Sequence, residues 1–327
     1  MKAVVLGATG HIGNAVVRAL LDRGVEVTAT SRKSAPGYNL AGLPVTFACG
    51  DSTVPGQLDA WITGQDIVVD AAAPYPLSVM REAHAPNVDP VSDAVRRTHD
   101  LLGAVLKHDA RLASIGSFAT IASRRRGFDV LQYEMIRGAH PYFAVKEAIE
   151  SETLDAARNG VKAVLISPTM CIGPWDMRDR EFCIMPRLLT GEVPAMTNQI
   201  LNLIDVRDVA NAAIAALEAE KFGEPIPLSG HNISVDMLFS WVCEIGGVQP
   251  PRTHVSASLA IAGSYLTELA LTLLGQRTPL PSIFLMLANA IDCPAPDRLQ
   301  VDLGISPRPL YETILDALAW YRSIGYC

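Results

Sequence analysis

The feature that most constrains this chain is its beginning. An apolar run, Ala3–Leu6, leads directly into Gly7-Ala8-Thr9-Gly10-His11-Ile12-Gly13 and then into a helical pattern. Ile12, Val16, Val17, Leu20 and Leu21 fall on one face of that helix, and Gly24 stands where it should end. Glycines between a strand and a helix let the backbone turn tightly and approach a ligand. The helix N-terminus behind them offers N–H groups and the positive end of a dipole. Strand, loop and helix together point to a pyrophosphate site; the alternative is a structural turn that binds nothing. The glycine spacing is G-x-x-G-x-x-G.

Further apolar runs follow at Val25–Thr30, Val45–Ala48, Ile67–Asp70, Arg111–Ile115 and Ala163–Ile166, with helical patterns at Ser92–Lys107 and Tyr142–Asn159. Strands alternating with helices predict parallel strands joined by right-handed crossovers: an α/β, doubly wound Rossmann sheet. After about Leu228 the pattern changes to apolar helical stretches separated by proline pairs. The expected division is a dinucleotide-binding unit over 1–173, rejoined by 201–228. A smaller, mostly helical C-terminal substrate-binding cap takes 174–200 and 229–327.

Composition removes several classes. The net charge of −7 with no basic run beyond Arg124-Arg125-Arg126 argues against a nucleic-acid partner. None of the six cysteines falls at a C-x-x-C spacing, and the histidines His84, His99, His108 and His140 are scattered, so no metal site is expected. No membrane span and no secretory signal are read, which places the chain in the cytoplasm.

Chemistry-bearing residues cluster where strands should end. Thr30-Ser31-Arg32-Lys33 closes the second strand without the acid that usually holds the ribose hydroxyls of NAD. Arg32 offers donors to a 2′-phosphate where a carboxylate would repel it, so NADP (NADPH) is the expected cofactor, with Ser31, Arg32 and Lys33 around the phosphate. An Arg-Lys pair that merely ends a strand is the competing reading. Gly50-Asp51 closes the third strand, where Asp51 and the following Ser52 would meet the adenine side. Tyr142 and Lys146 are four residues apart on one helix face. A free phenol has a pKa of about 10; a nearby ammonium favours the phenolate, which makes the pair an acid/base candidate. Ser117 follows the fifth strand, where a hydroxyl would hold a substrate oxygen; Ser114 and Thr120 are its competitors. No G-x-S-x-G elbow is present, which counts against a hydrolase triad.

Taken together, Gly7–Gly13, Gly50-Asp51, Ser117 and Tyr142…Lys146 resemble the extended short-chain dehydrogenases/reductases, also described as NAD-dependent epimerase/dehydratase-like proteins. The nearest subgroup is the bacterial reductases similar to dihydroflavonol 4-reductase and 3β-hydroxysteroid dehydrogenase. Ser167–Pro174, Leu203–Ala210 and Ala319–Tyr326 extend the resemblance over nearly the whole chain. It implies Tyr142 as general acid/base, Lys146 on the nicotinamide ribose, and Ser117 on the carbonyl oxygen. It also places Ala71, Ala72, Ala73, Pro168, Thr169 and Met170 along the cofactor. Three departures stand out: Ala94 where many members have Asn, Ser167 where sugar-nucleotide members often have Arg, and Phe118-Ala119-Thr120 in place of Thr-Asp-Glu. The last two argue against a sugar-nucleotide substrate.

The expected activity is reduction of a ketone or aldehyde on a bulky hydrophobic small molecule, or the reverse. The alternatives are a sugar-nucleotide epimerase with tightly bound NAD(P) and a non-catalytic NADP-binding protein. Leu259, Ile261, Leu266, Leu269, Leu271, Leu273 and Leu274, with Ile283–Leu287 and Ile291, are expected either to line an apolar pocket over Ser117 and Tyr142 or to complete the core of the cap. Touching a membrane surface is a third option, weakened by the lack of flanking Lys and Arg. By family analogy the two helices at Ser92–Lys107 and Tyr142–Asn159 would form a homodimer interface.

Overall fold

A computed structural model describes residues 1–73, 89–122, 141–177, 183–276, 282–290 and 298–326. His84, His140, the Arg124–Arg126 triplet, Arg277, Ile291, Cys293 and Cys327 lie outside the described residues.

Seven strands form one all-parallel sheet: β1 (Lys2–Leu6), β2 (Glu26–Ser31), β3 (Thr46–Cys49), β4 (Ile67–Asp70), β5 (Arg111–Ile115), β6 (Ala163–Pro168) and β10 (Pro225–Leu228). Their spatial order is β3-β2-β1-β4-β5-β6-β10, so the winding reverses between β1 and β4. Six of these strands answer to the predicted runs, β4 and β5 to the residue and the other four shifted by a residue or two at their ends. The seventh was not anticipated. Pro225 and Pro227 argue against a strand, and β10 accommodates them because it sits at the sheet edge, paired only to β6.

Both faces of the sheet are buried, which is why its strands read as continuous apolar runs. Ala3 and Val5 of β1 and Val69 of β4 face one side, where they pack with Val16, Val17 and Leu20 of α1 (His11–Leu21) and Val209 and Ala213 of α7 (Val206–Glu218). Val4 and Leu6 face the other side, against Leu58 and Ile62 of α2 (Gln57–Ile62) and Leu101 and Val105 of α3 (Pro90–Lys107). Helix α3 in turn packs on α5 (Pro141–Arg158). Asp89 starts α3 by accepting from the N–H groups of Val91 and Ser92 at 3.1 and 3.3 Å, two residues earlier than the apolar periodicity suggests.

A separate apolar cluster includes Ile172, Met185 of α6 (Ile184–Leu189), Met196 of β8 (Ala195–Thr197), Leu238 and Val242 of α8 (Val235–Gly246), Ile314 and Tyr321. It contains a three-stranded sheet of β7 (Met170–Ile172), β9 (Ile200–Asp205) and β11 (His231–Ser234). Asp205 at the end of β9 accepts from the Thr313 hydroxyl at 2.7 Å, and Asp208 accepts from the Arg308 N–H at 2.7 Å. The carboxylates of the Leu203–Ala210 stretch therefore tie down the C-terminal segment; neither lines the cavity described below.

Helices α9 (Ala257–Leu273) and α10 (Ser282–Ala290) meet through Glu268, buried, which accepts from the Ser282 hydroxyl at 2.9 Å. Leu259, Leu266, Leu273 and Leu274 are 63%, 63%, 80% and 71% exposed. These four face outward, and none of them lines the cavity described below or belongs to a core cluster of the described residues. No described helix is long and apolar enough to cross a membrane.

Candidate active site

The carboxyl ends of the central strands open onto a cavity of about 850 Å³ at the point where the strand order reverses. Its floor is the glycine loop. Gly7 has a φ of +73°, and a Cβ there would lie 2.7 Å from the Ala71 carbonyl oxygen; a Cβ on Gly13 would lie 2.2 Å from the carbonyl oxygen of Gly7. The loop, the Ala71–Ala73 strip and the first turn of α1 can thus touch only because these positions are glycine. Gly7, Thr9, Gly10, His11 and Ile12 line the cavity, whereas Gly13 lies behind the loop and allows the helix to close on it. Gly10 brings no side-chain cap to α1 and its first turn carries no acidic residue, so the positive end of the helix faces the cavity; the buried Asp176 carboxylate lies 3.8 Å from His11 Nδ1. Asn39 holds the loop from behind: its Nδ2 donates to the Thr9 carbonyl at 2.9 Å, and its own carbonyl accepts from Asn14 and Arg18 at 2.8 and 2.9 Å. A dinucleotide pyrophosphate fits this cradle of small residues at a helix N-terminus.

Along one wall, Ser31 is buried and lies 3.0 Å from the Thr9 hydroxyl, and its Oγ accepts from the Lys33 N–H at 3.1 Å. Arg32 and Lys33 stand exposed at the rim. Asp51 accepts from the Thr53 N–H and hydroxyl at 2.9 and 2.8 Å. Those bonds, the backbone one first, with Arg32 and Arg97 nearby, hold its carboxyl below the usual range.

The opposite wall carries Ser117, Tyr142 and Lys146, all of which line the same cavity. Tyr142 is buried one residue into α5 and packs edge-on to Phe143, ring centroids 5.4 Å apart. Lys146 is buried one turn later and donates through Nζ to the Ile115 carbonyl at 3.2 Å, at the end of β5. Burial pushes its ammonium down to about 8; Asp70 opposes that shift and Arg97 adds to it. Ser117 begins the turn into α4 (Phe118–Ala122), its Oγ accepting from the Ala119 N–H at 3.3 Å. The two competing hydroxyls are placed elsewhere. Ser114 is buried within β5, and Thr120 donates to the Ser117 carbonyl at 2.8 Å and also contacts the Glu150 carboxylate. His99 pairs with Glu152 and His108 with Asp59, both away from the cavity.

Pro168, Thr169 and Met170 line the far end together with Cys171, Ile200, Leu201, Asn202 and Ala288. Asn202 is committed to the protein: its Oδ1 accepts from the Thr169 hydroxyl at 2.8 Å and the Gly230 N–H at 2.9 Å, and its Nδ2 donates to Asn232 at 2.6 Å. Apolar atoms dominate the lining of the cavity as a whole, and none of these eight residues is a cation. Of the two long apolar helical stretches, the described lining residue is Ala288 alone.

Among the lining residues that the sequence reading did not single out, two are large and lie on the helices α2 and α3. Arg97, in α3, lines the cavity and forms a bidentate pair with Asp70, both bonds 2.8 Å, while its Nε donates to Ser52 Oγ at 2.8 Å. Trp61 of α2 also lines the cavity. A signal for Arg97 existed: it shares the buried helix face of Ala94, Thr98 and Leu101, and a cation on such a face needs an internal partner.

Fold and cavity together define an α/β protein with a doubly wound parallel sheet and a tyrosine–lysine pair at its switch point. The chain belongs to the NAD dependent epimerase/dehydratase family, whose pattern matches residues 3–228, and has the extended short-chain dehydrogenase/reductase fold. It is 29% identical to a Synechocystis sp. protein that carries the provisional name dihydroflavonol 4-reductase, over 98% of this chain and 95% of that one. It is 23% identical to the 4-hydroxy-2-methyl-3-oxo-4-farnesyl-3,4-dihydroquinoline-1-oxide ketoreductase of Stigmatella aurantiaca, covering 97% and 96%. Among solved structures, the crystal structure of gox2253 matches with a TM-score of 0.78, 28% identity and 99% coverage of both chains.

Proposed function

We propose that this protein is an NADPH-dependent reductase of a ketone or aldehyde on an apolar small molecule, able to run in reverse as a dehydrogenase. The observation that carries this reading is the meeting of Ser117, Tyr142 and Lys146 with the glycine cradle in one cavity. A bound nicotinamide supplies hydride to the carbonyl carbon. The chain does the rest. Ser117 donates to the carbonyl oxygen, and the Tyr142 hydroxyl passes its proton to that oxygen as the C–O bond becomes single. The Lys146 ammonium beside it favours the phenolate left behind and meets the nicotinamide ribose. Arg32, with Ser31 and Lys33, selects the 2′-phosphate, and Asp51 and Ser52 meet the adenosine.

The substrate class follows from the far end of the cavity. Met170, Cys171, Ile200, Leu201 and Ala288 offer apolar contact, Asn202 is spent on its neighbours, and none of the described residues there is a cation for a diphosphate. The names of the two curated relatives, a reductase and a farnesyl-quinoline ketoreductase, fit the same direction. Residues 1–173 with 201–228 would bind the dinucleotide, with 174–200 and 229–327 closing the substrate end. We also expect a cytoplasmic homodimer through α3 and α5, testable by sedimentation.

A panel of carbonyl compounds with NADPH consumption as readout tests the reading. Bulky hydrophobic ketones are expected to be reduced and nucleotide sugars left unchanged. Efficient turnover of a nucleotide sugar, with no activity on apolar carbonyls, would return the epimerase to first place.

A further inference from the structure

A buried charged triad stands against the cavity wall. Asp70 ends β4, and its register partner on β5 is Ser114, one residue before Ile115, whose carbonyl accepts from Lys146 Nζ at 3.2 Å. The Lys146 ammonium therefore sits at the same end of the sheet as the Asp70 carboxylate, one strand over. Asp70 and Arg97 are 1% and 3% exposed and share two 2.8 Å bonds. Asp70 also accepts from the Ala72 N–H at 3.1 Å, and Arg97 reaches Ser52.

We propose that Asp70 and Arg97 are positioning residues for the charge of Lys146, with Asp70 a counter-ion shared between the guanidinium and the ammonium. Burial favours a neutral Lys146; Asp70 opposes that and Arg97, a like charge, reinforces it. Burial would also push Asp70 up, but Arg97 overrides it and holds the carboxyl below its usual range. Among the described residues, the other ionisable groups nearest Lys146 along its own helix are Tyr142, Glu147 and Glu150; Asp93, at the start of α3, and Cys171, on β7, line the same cavity. Asp93 is engaged by Arg96 at 2.6 Å, and Glu150 contacts the Thr120 hydroxyl. A pair that merely holds elements together would make either substitution loosen the site alike. A shared counter-ion makes them act in opposite directions.

The role of Lys146 in catalysis rests on the function proposed above, but its titration does not. Competitive labelling of the full-length protein with acetic anhydride over a pH series, read at the Lys146 peptide by mass spectrometry, gives its midpoint whether or not the protein is a reductase. Asp70→Asn should lower the midpoint by about one pH unit or more, because it removes the supporting anion and leaves Arg97. Arg97→Gln should raise it, because Asp70 is then left to Lys146 alone. The double variant, which strands neither charge, should fall between Asp70→Asn and the parent, since Asp70 outweighs Arg97 at Lys146. If Arg97→Gln does not fold, the order Asp70→Asn, double variant, parent still decides. Equal midpoints, or shifts of the same sign in both single variants, would overturn the proposal. A parent protein that consumes no NADPH with any carbonyl compound, while the predicted shifts appear, would count against the function alone.

Discussion

Tyr142→Phe should lose about two to four orders of magnitude in turnover, the range that a positioned general acid/base contributes, while binding NADPH nearly as tightly as the parent. The ring is buried and packs against Phe143, so removing the hydroxyl leaves the wall of the cavity in place. In the proposed mechanism the phenol transfers a proton and the glycine cradle holds the pyrophosphate, so the substitution removes the first function and leaves the second. Lys146→Ala should behave differently and damage both quantities, because the proposed role of Lys146 spans the acid/base and the ribose. Parallel measurements of NADPH consumption and of NADPH fluorescence on binding separate the two. Near-normal turnover in Tyr142→Phe would exclude the tyrosine from proton transfer.

The cofactor preference should fall by at least about tenfold in Arg32→Asp, a change of about 1.4 kcal/mol between the two cofactors. Arg32 is exposed at the rim, so each unit charge contributes on the order of 1 kcal/mol through water. The substitution both removes an attraction and adds a repulsion toward a 2′-phosphate, and it leaves the ribose hydroxyls of NADH a carboxylate to donate to. Lys33 stays, so NADPH binding should weaken rather than vanish. Added salt should narrow the preference of the parent, because an exposed pair is screened. If the parent bound NADH as tightly as NADPH, Arg32 would have no selective role.

What the sequence discloses and withholds follows the range of each signal. Each βα unit of the sheet carries its own local pattern, so β1 to β6 and the glycine cradle were legible from the alternation of apolar runs and helices. Strand β10 was not, because Pro225 and Pro227 read as breakers and only the edge position tolerates them. Ser117 is readable from the strand it follows, and Tyr142 and Lys146 from their spacing of four at the start of a helix between the fifth and sixth strands; the structure brings all three to one cavity. The Asp70–Arg97 pair joins residues 27 apart in different elements, and no local pattern announces which buried cation meets which anion. The leucines of α9 show the converse limit. Their spacing shows that a helix is apolar, but not what each face meets, and Leu259, Leu266 and Leu273 turn out to face outward.

The most direct test of the central claim is the fate of a label. The protein would be incubated with an apolar ketone and NADPH deuterated at the transferable position of its nicotinamide, and the product examined by mass spectrometry. A reductase that takes its proton from Tyr142 should give one deuterium on the carbinol carbon for each NADPH consumed, with the hydroxyl hydrogen coming from solvent. Contradiction would be a substrate isomerised with no NADPH consumed and no deuterium retained, the mark of an enzyme that returns its hydride.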